Sequence, residues 1–584
     1  MTKRARGPKR TAKSVRVDAQ VRELPEIWAR LALLLVTGLC FGRALTHPFA
    51  RSWDDGRFIV DNPDVLHPSW AGLSRMFTTV QFEAYHPLHL LSYWLDVPWI
   101  GTVGQPLTAT VVHGVSLVLW MVAVSLCYEL IRRLGAPPWA ALLGALLSGV
   151  HPLQVEVVCW ASARKDVLAL LFSVASLLLQ LSAASPWGAR AWLSRMLYLC
   201  ALLSKTSALP LPLFALALDV LARKRPPRDA LLWQVPNLVL GASVSYVVFT
   251  IWREHSMVRE TLGDEGLGLV RFTQTFGHQL GTVLWPNRVS PMYSTLSIAR
   301  WQPGRTLLCM TYVIACGLAL WRRRGLLAAG LLGFGMFLLP VSNLVPLYFP
   351  LHDRYASLPL FALGVGVAGC AGPAGSSARS FVVDLGYVAL FFLGLRSVQY
   401  AGVWENELRL WGHAVRAQPD ADYAYLKLGE VRREAGDLEG AIKAYHGAIQ
   451  LAPQRTLAHA GLFEVVARRD EKIFRLAPSR ARELAQQYYH RLSHPEQLQA
   501  FPAELWALGY VRSVELPIQA LILIDAIPQG IVLQSAQSAL KAGRESLARF
   551  YLHALEERPT APGLAELYDE PYFRVVPSIA SGAN

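Results

Sequence analysis

Charge is what this sequence has least of. Only 17% of its 584 residues are Asp, Glu, Lys or Arg, while 53% are hydrophobic; soluble domains carry about 25% charged residues. A soluble globular enzyme is therefore not the starting assumption, and a membrane protein is. Cysteine is sparse as well, with seven residues and no CxxC pair, so neither a zinc ribbon nor a disulfide framework is expected. No Walker loop, no GxGxxG behind a strand and no HExxH occurs. Those absences argue against an ATP motor, a nucleotide-sugar enzyme and a helical zinc protease. The first apolar run also lacks a clear small-residue cleavage site. It reads as an uncleaved span behind a basic cytoplasmic tail, MTKRARGPKRTAKSVR.

What is present fits a bilayer. Mean hydropathy is +0.30. The net charge of +14 sits in short basic clusters between apolar runs, which suits membrane orientation rather than a polyanion groove, so no nucleic-acid partner is expected. A span needs about 20 mainly apolar residues, and about eleven candidates can be traced: 26–46, 107–130, 137–150, 166–183, 190–204, 206–222, 231–252, 305–321, 325–341, 355–371 and 380–397. With the N-terminus inside, the inner gaps hold Arg132 and Arg133, Arg190, the ARKRPPR run at 222–228, WRRR at 321–324 and Arg379, as the positive-inside rule asks. Asp54, Asp55 and everything after about residue 398 then lie outside. The outer segment 47–106 carries HPLHLLSYWLDVPWIG, whose Trp94 and Trp99 suit an interfacial helix; RFTQTFGHQLGTVLW in 253–304 is similar in character.

From about residue 400 long apolar runs vanish. ADYAYLKLGEVRREAGDLEGAIKAYHGAIQLAP places Tyr425, Leu428, Gly429, Gly436, Ala441, Tyr445, Ala448 and Pro453 at the offsets of a tetratricopeptide repeat. One repeat length of about 34 residues earlier, Trp411, Ala414 and Pro419 match the second helix of a preceding unit. LKAGRESLARFYLHALEERP is a degenerate third unit. The expected architecture is all-α: a polytopic helical bundle (26–398) behind the basic tail (1–25), followed by a repeat-type helical domain (399–584) on the outer side that binds extended polypeptide.

Several blocks carry a resemblance. WDDGRFIVDNPDV, YHPLHLLSYWLD, HPLQVEVVCWASARKDVLALLFSVASLLL, LLSKTSALPLPLFALALD, LPVSNLVPLYFPLHDRYASLP and WENELRLWGHAVRAQP occur in that order over roughly residues 50–455. Together they resemble the transmembrane and tetratricopeptide-repeat-containing O-mannosyltransferases, within the GT-C class of polyprenyl-phosphate-sugar glycosyltransferases. The resemblance implies a GT-C-like bundle and a donor sugar on a polyprenyl phosphate. It also implies transfer to a hydroxyl of a protein acceptor, and a catalytic carboxylate on the first outer loop. Only one repeat is clean where family members often carry many, and HDRY stands where the family tends to show an acid next to Arg-Tyr.

Such chemistry needs a carboxylate to take the acceptor's proton and cations to hold the phosphate as charge develops. Asp54 and Asp55 are the candidates for the base; adjacent carboxylates repel, which raises one pKa toward neutrality. Arg164 and Lys165 in ASARKD, Lys205 in LLSKTS, and His352 and Arg354 in HDRY are the candidates for the donor phosphate. Glu156, His86, His89 and Asp166 are supporting or acceptor-orienting candidates. His86 and His89 stand three apart, but Pro87 interrupts and no third ligand is near, so no metal site is assigned. No cofactor is expected, the alternative being a divalent cation (Mg or Mn) held by Asp54 and Asp55. A lipid or glycan acceptor, a non-catalytic scaffold and a transporter are the competing readings. Richness in Arg and Ala suggests a bacterial inner membrane with the active face outside; an endoplasmic reticulum membrane would give the same topology.

Overall fold

The computed structural model describes residues 26–80, 85–97, 107–254, 268–294, 296–345, 347, 349–370, 377–452 and 455–469. The basic tail, Trp99 and the degenerate unit around 540–559 lie outside them. Among the described residues the chain is helical and contains no β-strand.

The main helices of the bundle are α1 (Glu26–Phe41), α2 (Ala109–Arg133), α3 (Pro138–Val150), α4 (Val155–Cys159), α5 (Arg164–Ser182), α6 (Ala189–Ser204), α7 (Pro227–Glu254), α8 (Gly268–Leu284), α9 (Pro303–Trp321), α10 (Gly325–Leu338), α11 (Ser357–Ala368) and α12 (Ser377–Ala401). Each expected apolar stretch falls on a helix, but their lengths differ from a uniform set of spans. Among the described residues, five helical segments are long and apolar enough to cross a membrane, or six if the pair Pro138–Val150 and Pro152–Cys159, bent by 49°, is one broken span. Thr206–Ala222 and Gly325–Val341 are shorter apolar helices. These apolar helices mark the chain as a membrane protein.

Glycine sets the centre of the bundle. A Cβ on Gly144 of α3 would lie 2.3 Å from the Gly364 carbonyl of α11, and one on Gly330 of α10 would lie 2.3 Å from Gly366 of α11. Small residues let these backbones touch, which is how helices associate where lipid supplies no hydrophobic drive. The bend after α3 frees backbone carbonyls that lipid could not satisfy. Protein donors meet them instead: Gln154 Nε2 to Ser148 O at 2.9 Å, Trp120 Nε1 to Gly149 O at 3.1 Å and Ser397 Oγ to Val150 O at 2.6 Å.

The two ends of the bundle differ. At one, Arg132 pairs with Glu26, and Glu129 takes Arg30 at 2.6 Å and Arg133 at 2.8 Å; Arg223 and Arg225 share Asp219 at 2.6 and 3.2 Å. At the other end lie the loop 47–66, the turn 160–163, Lys205 and the segment 349–356. Against that second end pack α13 (Glu407–Ala417), α14 (Asp422–Glu434), α15 (Leu438–Leu451) and α16 (Thr456–Arg469). Gly436, at φ +79°, turns the chain between α14 and α15 in a backbone conformation that glycine adopts at little cost. The Tyr445 ring of α15 fills the space over Gly429 of α14 and Gly461 of α16, where Cβ atoms would lie 2.6 and 2.3 Å from it. Arg433 and Glu464 join α14 to α16 at 2.5 Å.

Candidate active site

The fold separates the two adjacent acids. Asp55 is buried, and its oxygens accept from the Ala50 N–H at 2.8 Å, the Ser162 N–H at 2.9 Å and the Ser162 hydroxyl at 2.5 Å. Burial pushes its carboxyl up to about 7 against the pull of those donors. It pins the first outer loop to the turn ahead of α5. Held by these donors, Asp55 braces the loop, whereas the Asp54 carboxylate is left without such ties. Asp54 points elsewhere. It is half-buried, its carboxylate makes no hydrogen bond or ion pair among the described residues, and it lies within electrostatic reach of Lys165.

The first turn of α5 sends three consecutive charges in three directions, as about 100° of rotation per residue requires. Arg164 turns inward and is fully buried. Its Nη1 meets Asp96 at 2.8 Å and the Ser92 carbonyl at 3.2 Å, Nη2 the Val112 carbonyl at 2.7 Å, and Nε the Ser116 hydroxyl at 2.9 Å; its guanidinium stacks 4.5 Å from the Tyr93 ring centre. A guanidinium so saturated and sealed has no face for a donor phosphate, which corrects that assignment. Lys165 lies over the Phe58 and Trp160 rings at 5.2 and 5.6 Å and has no hydrogen-bond or ion-pair partner among the described residues. Asp166 pairs with Lys205 through one oxygen, leaving its Oδ2 unpartnered.

Arg354 follows a different pattern. Its Nη1 pairs with Glu156, whose second oxygen accepts the Arg354 backbone N–H at 3.0 Å. The guanidinium rests 4.9 Å from the centre of the Trp160 ring, 5.6 Å from Tyr355 and 5.8 Å from Trp53. Among the described residues its Nε and Nη2 meet no acceptor, so one edge of the fork is open. Glu156 thus orients Arg354 and has no oxygen left for an acceptor. Lys205, pushed down by burial, is held charged by Asp166 and opposed by Arg354. Lys165, Lys205 and Arg354 are within electrostatic reach of one another.

The histidines are less available than their order in the chain implies. His352 is sealed; its Nδ1 meets the Pro291 carbonyl at 3.1 Å, and burial beside Arg354 pushes it down to about 4, so it is neutral and carries no charge toward a phosphate. His89 Nε2 donates to the Tyr93 hydroxyl at 2.8 Å, which donates onward to the Ala161 carbonyl at 3.0 Å. His86 stands at the start of the short helix Pro87–Ser92, pushed down to about 3 by burial and by Lys165 and Lys205. Both histidines lie within electrostatic reach of Lys165 and Lys205, but His89 is tied up by Tyr93. Among the described residues no group of three metal-ligating side chains occurs.

No family model matches the chain. Curated proteins do. Protein O-mannosyl-transferase TMTC4 of Homo sapiens is 30% identical over 174 residues, 26% of this chain and 23% of that protein. Protein O-mannosyl-transferase TMTC1 of Mus musculus is 33% identical over 155 residues, 25% of this chain and 16% of that protein. Over those stretches the chain is similar to protein O-mannosyl-transferases. The match spans less than a quarter of the length of either relative. A solved structure, ArnT from Cupriavidus metallidurans bound to undecaprenyl phosphate, aligns over 80% of this chain and 82% of its own at 16% identity, with a TM-score of 0.35, a likeness too weak to fix the fold.

Sequence reasoning missed the residues that hold the site together. Asp96 cages Arg164, and it is the only acid in YHPLHLLSYWLD. Trp53 and Trp160 stack at 4.2 Å and floor Arg354; both stand in the matching blocks, directly beside the charges that drew attention. Asp353 does not join Arg354 but accepts from Tyr293 at 2.5 Å, Ser290 N–H at 3.1 Å and Tyr400 at 3.3 Å.

Proposed function

We propose that this chain is a membrane glycosyltransferase that moves a sugar, mannose by kinship, from a polyprenyl-phosphate donor to a hydroxyl of a protein acceptor. The observation that carries this reading is the nearness of two uncommitted groups: the Asp54 carboxylate, without a hydrogen bond among the described residues, lies within electrostatic reach of the Lys165 ammonium, which has no hydrogen-bond or ion-pair partner among them. In the step, the acceptor oxygen attacks the anomeric carbon and the bond from that carbon to the phosphate oxygen breaks. The hydroxyl proton passes to Asp54, and the lipid phosphate leaves with one more negative charge. Lys165 and the open edge of Arg354 meet that charge, with Lys205 behind them. A single displacement inverts the anomeric centre. No metal is assigned to the step.

The proposal places the catalytic bundle at 26–398, with tetratricopeptide-type packing in 399–584 presenting the acceptor, and the tail 1–25 across the membrane from the site. The outward face of a bacterial inner membrane or the lumen of the endoplasmic reticulum suits this arrangement. The names of the curated relatives and the glycine-paired helices of α14–α16 support it. The test is transfer of labelled sugar from its lipid phosphate by membranes bearing the wild-type chain, Asp54→Asn or Asp55→Asn. Asp54→Asn is expected to lose at least about 100-fold, the scale of a general base, with the protein still folded. Undiminished transfer by Asp54→Asn removes the base assignment. Absence of transfer by the wild-type chain to any acceptor favours a scaffold.

A further inference from the structure

The loop that presents Asp54 is gripped from outside the bundle. Ser52, two positions before Asp54, gives both its backbone N–H and its hydroxyl to one carboxylate oxygen of Glu407, at 2.6 and 2.5 Å. The same hydroxyl accepts the indole N–H of Trp411 at 2.8 Å. Glu407 and Trp411 stand one turn apart on α13, so one helical face reaches the loop twice. The Trp411 ring then packs 5.2 Å from Trp53, the residue between Ser52 and Asp54. A second contact reaches the phosphate side of the site: Tyr423 of α14 meets Phe349, just ahead of His352 and Arg354, at 5.2 Å edge to face.

Each contact has an alternative it does without. The Ser52 N–H could be left to water at a loop, since Ser52 is only half-buried. Glu407 sits in the first turn of α13, where Asn406 already caps the helix by accepting the Arg409 N–H at 2.8 Å. Its carboxylate is therefore not needed as a cap, and Ser52 is its hydrogen-bonding partner. Glu407 is partly desolvated and pushed up by that burial, with Ser52 opposing the shift.

We infer that Glu407 is a positioning residue for Asp54, fixing the Ser52–Asp54 turn so that the free carboxylate meets the acceptor hydroxyl only while α13 is docked on the bundle. This rests on the transferase reading above. It makes α13 part of the catalytic apparatus rather than a tether, and it couples whatever engages α14–α16 to the loop bearing the base. Displacing a reacting group by about 1 Å costs on the order of 100-fold in rate, and a turn released from two charge-assisted hydrogen bonds can move that far.

The experiment uses the full chain reconstituted in lipid, with labelled sugar lipid phosphate as donor. Glu407→Ala is expected to lower kcat by about 10- to 100-fold while the KM for donor changes by less than roughly twofold, because the groups facing the phosphate are untouched. Glu407→Gln keeps an acceptor oxygen for both Ser52 donors and is expected to recover most of the lost kcat. Unchanged kcat in Glu407→Ala overturns the inference while leaving the transferase reading intact. So does a Glu407→Gln protein as poor as Glu407→Ala, or an activity loss that only follows a fall in the amount of folded protein on thermal unfolding. A wild-type chain without transfer, by contrast, sinks the transferase reading itself and this inference with it.

Discussion

Arg164 and Lys165 are neighbours in sequence, yet their replacement should have opposite consequences. Arg164→Gln removes four hydrogen bonds, to Asp96, Ser92, Val112 and Ser116, and leaves the Asp96 carboxylate at 0% exposure without its counter-charge. Breaking a buried pair by removing one partner costs about 3–5 kcal/mol. Spread over a chain of this size, that is a fall of roughly 2–4 °C in unfolding midpoint. Lys165→Gln removes no hydrogen bond; it loses cation–ring contacts worth about 0.5–2 kcal/mol and relieves repulsion from Arg354 and Lys205, so its midpoint should stay within about 2 °C. The assay is thermal unfolding in detergent followed by tryptophan fluorescence, for which the chain has 18 indoles, alongside donor binding. Lys165→Gln should weaken donor binding without melting the protein. Arg164→Gln should melt early, and the double change Arg164→Met with Asp96→Leu should regain part of the loss by removing both charges. An Arg164→Gln protein of wild-type stability that cannot bind donor would refute the cage and restore Arg164 to the phosphate.

Two further outcomes follow from geometry. Asp55 has a folded pKa of about 7 against an ordinary 3.8, so the folded state holds more protons between those values. Its contribution is fully present below the unfolded pKa and is lost as pH rises to about 7, at up to about 1.4 kcal/mol per unit. Unfolding midpoints measured across that window should fall with rising pH in the wild type, and Asp55→Asn should flatten the profile while losing an acceptor for the Ala50 N–H. At the centre of the bundle, Gly364→Ala places a methyl 2.3 Å from the Gly144 carbonyl and should force α3 and α11 apart. A cost of about 1–3 kcal/mol is expected in the same melt, whereas Gly317→Ala, with nothing within 4 Å of the new carbon, should be neutral or stabilising.

Much of this could be read before any coordinates. Apolar runs announce helices because lipid forces backbone groups to pair within a segment, and every expected stretch falls on one. The charged blocks also converge on one end of the bundle. Direction was not legible. Residues 164–166 read as a single cationic mouth, but helix phase and a partner 68 positions away decide that Arg164 faces inward to Asp96. Asp54 and Asp55 look equivalent until Ser162, 107 positions on from Asp55, claims one of them. Helix length was not legible for a related reason: hydropathy measures how oily a stretch is, not where glycine contacts and bends let a shorter helix be enclosed by its neighbours.

The corner between α3 and α4 carries one more lesson. Its three bared carbonyls are met by donors from three separate stretches of chain, and His151 Nε2 adds a fourth tie to the Val283 carbonyl at 3.0 Å. Straightening or swinging this elbow would strand all of them inside the packed protein, where an unpaired polar group is costly. It therefore behaves as a welded joint, and the Glu156 brace beneath Arg354 inherits its stiffness. Whatever docks at the cationic face therefore meets a rigid support beneath Arg354.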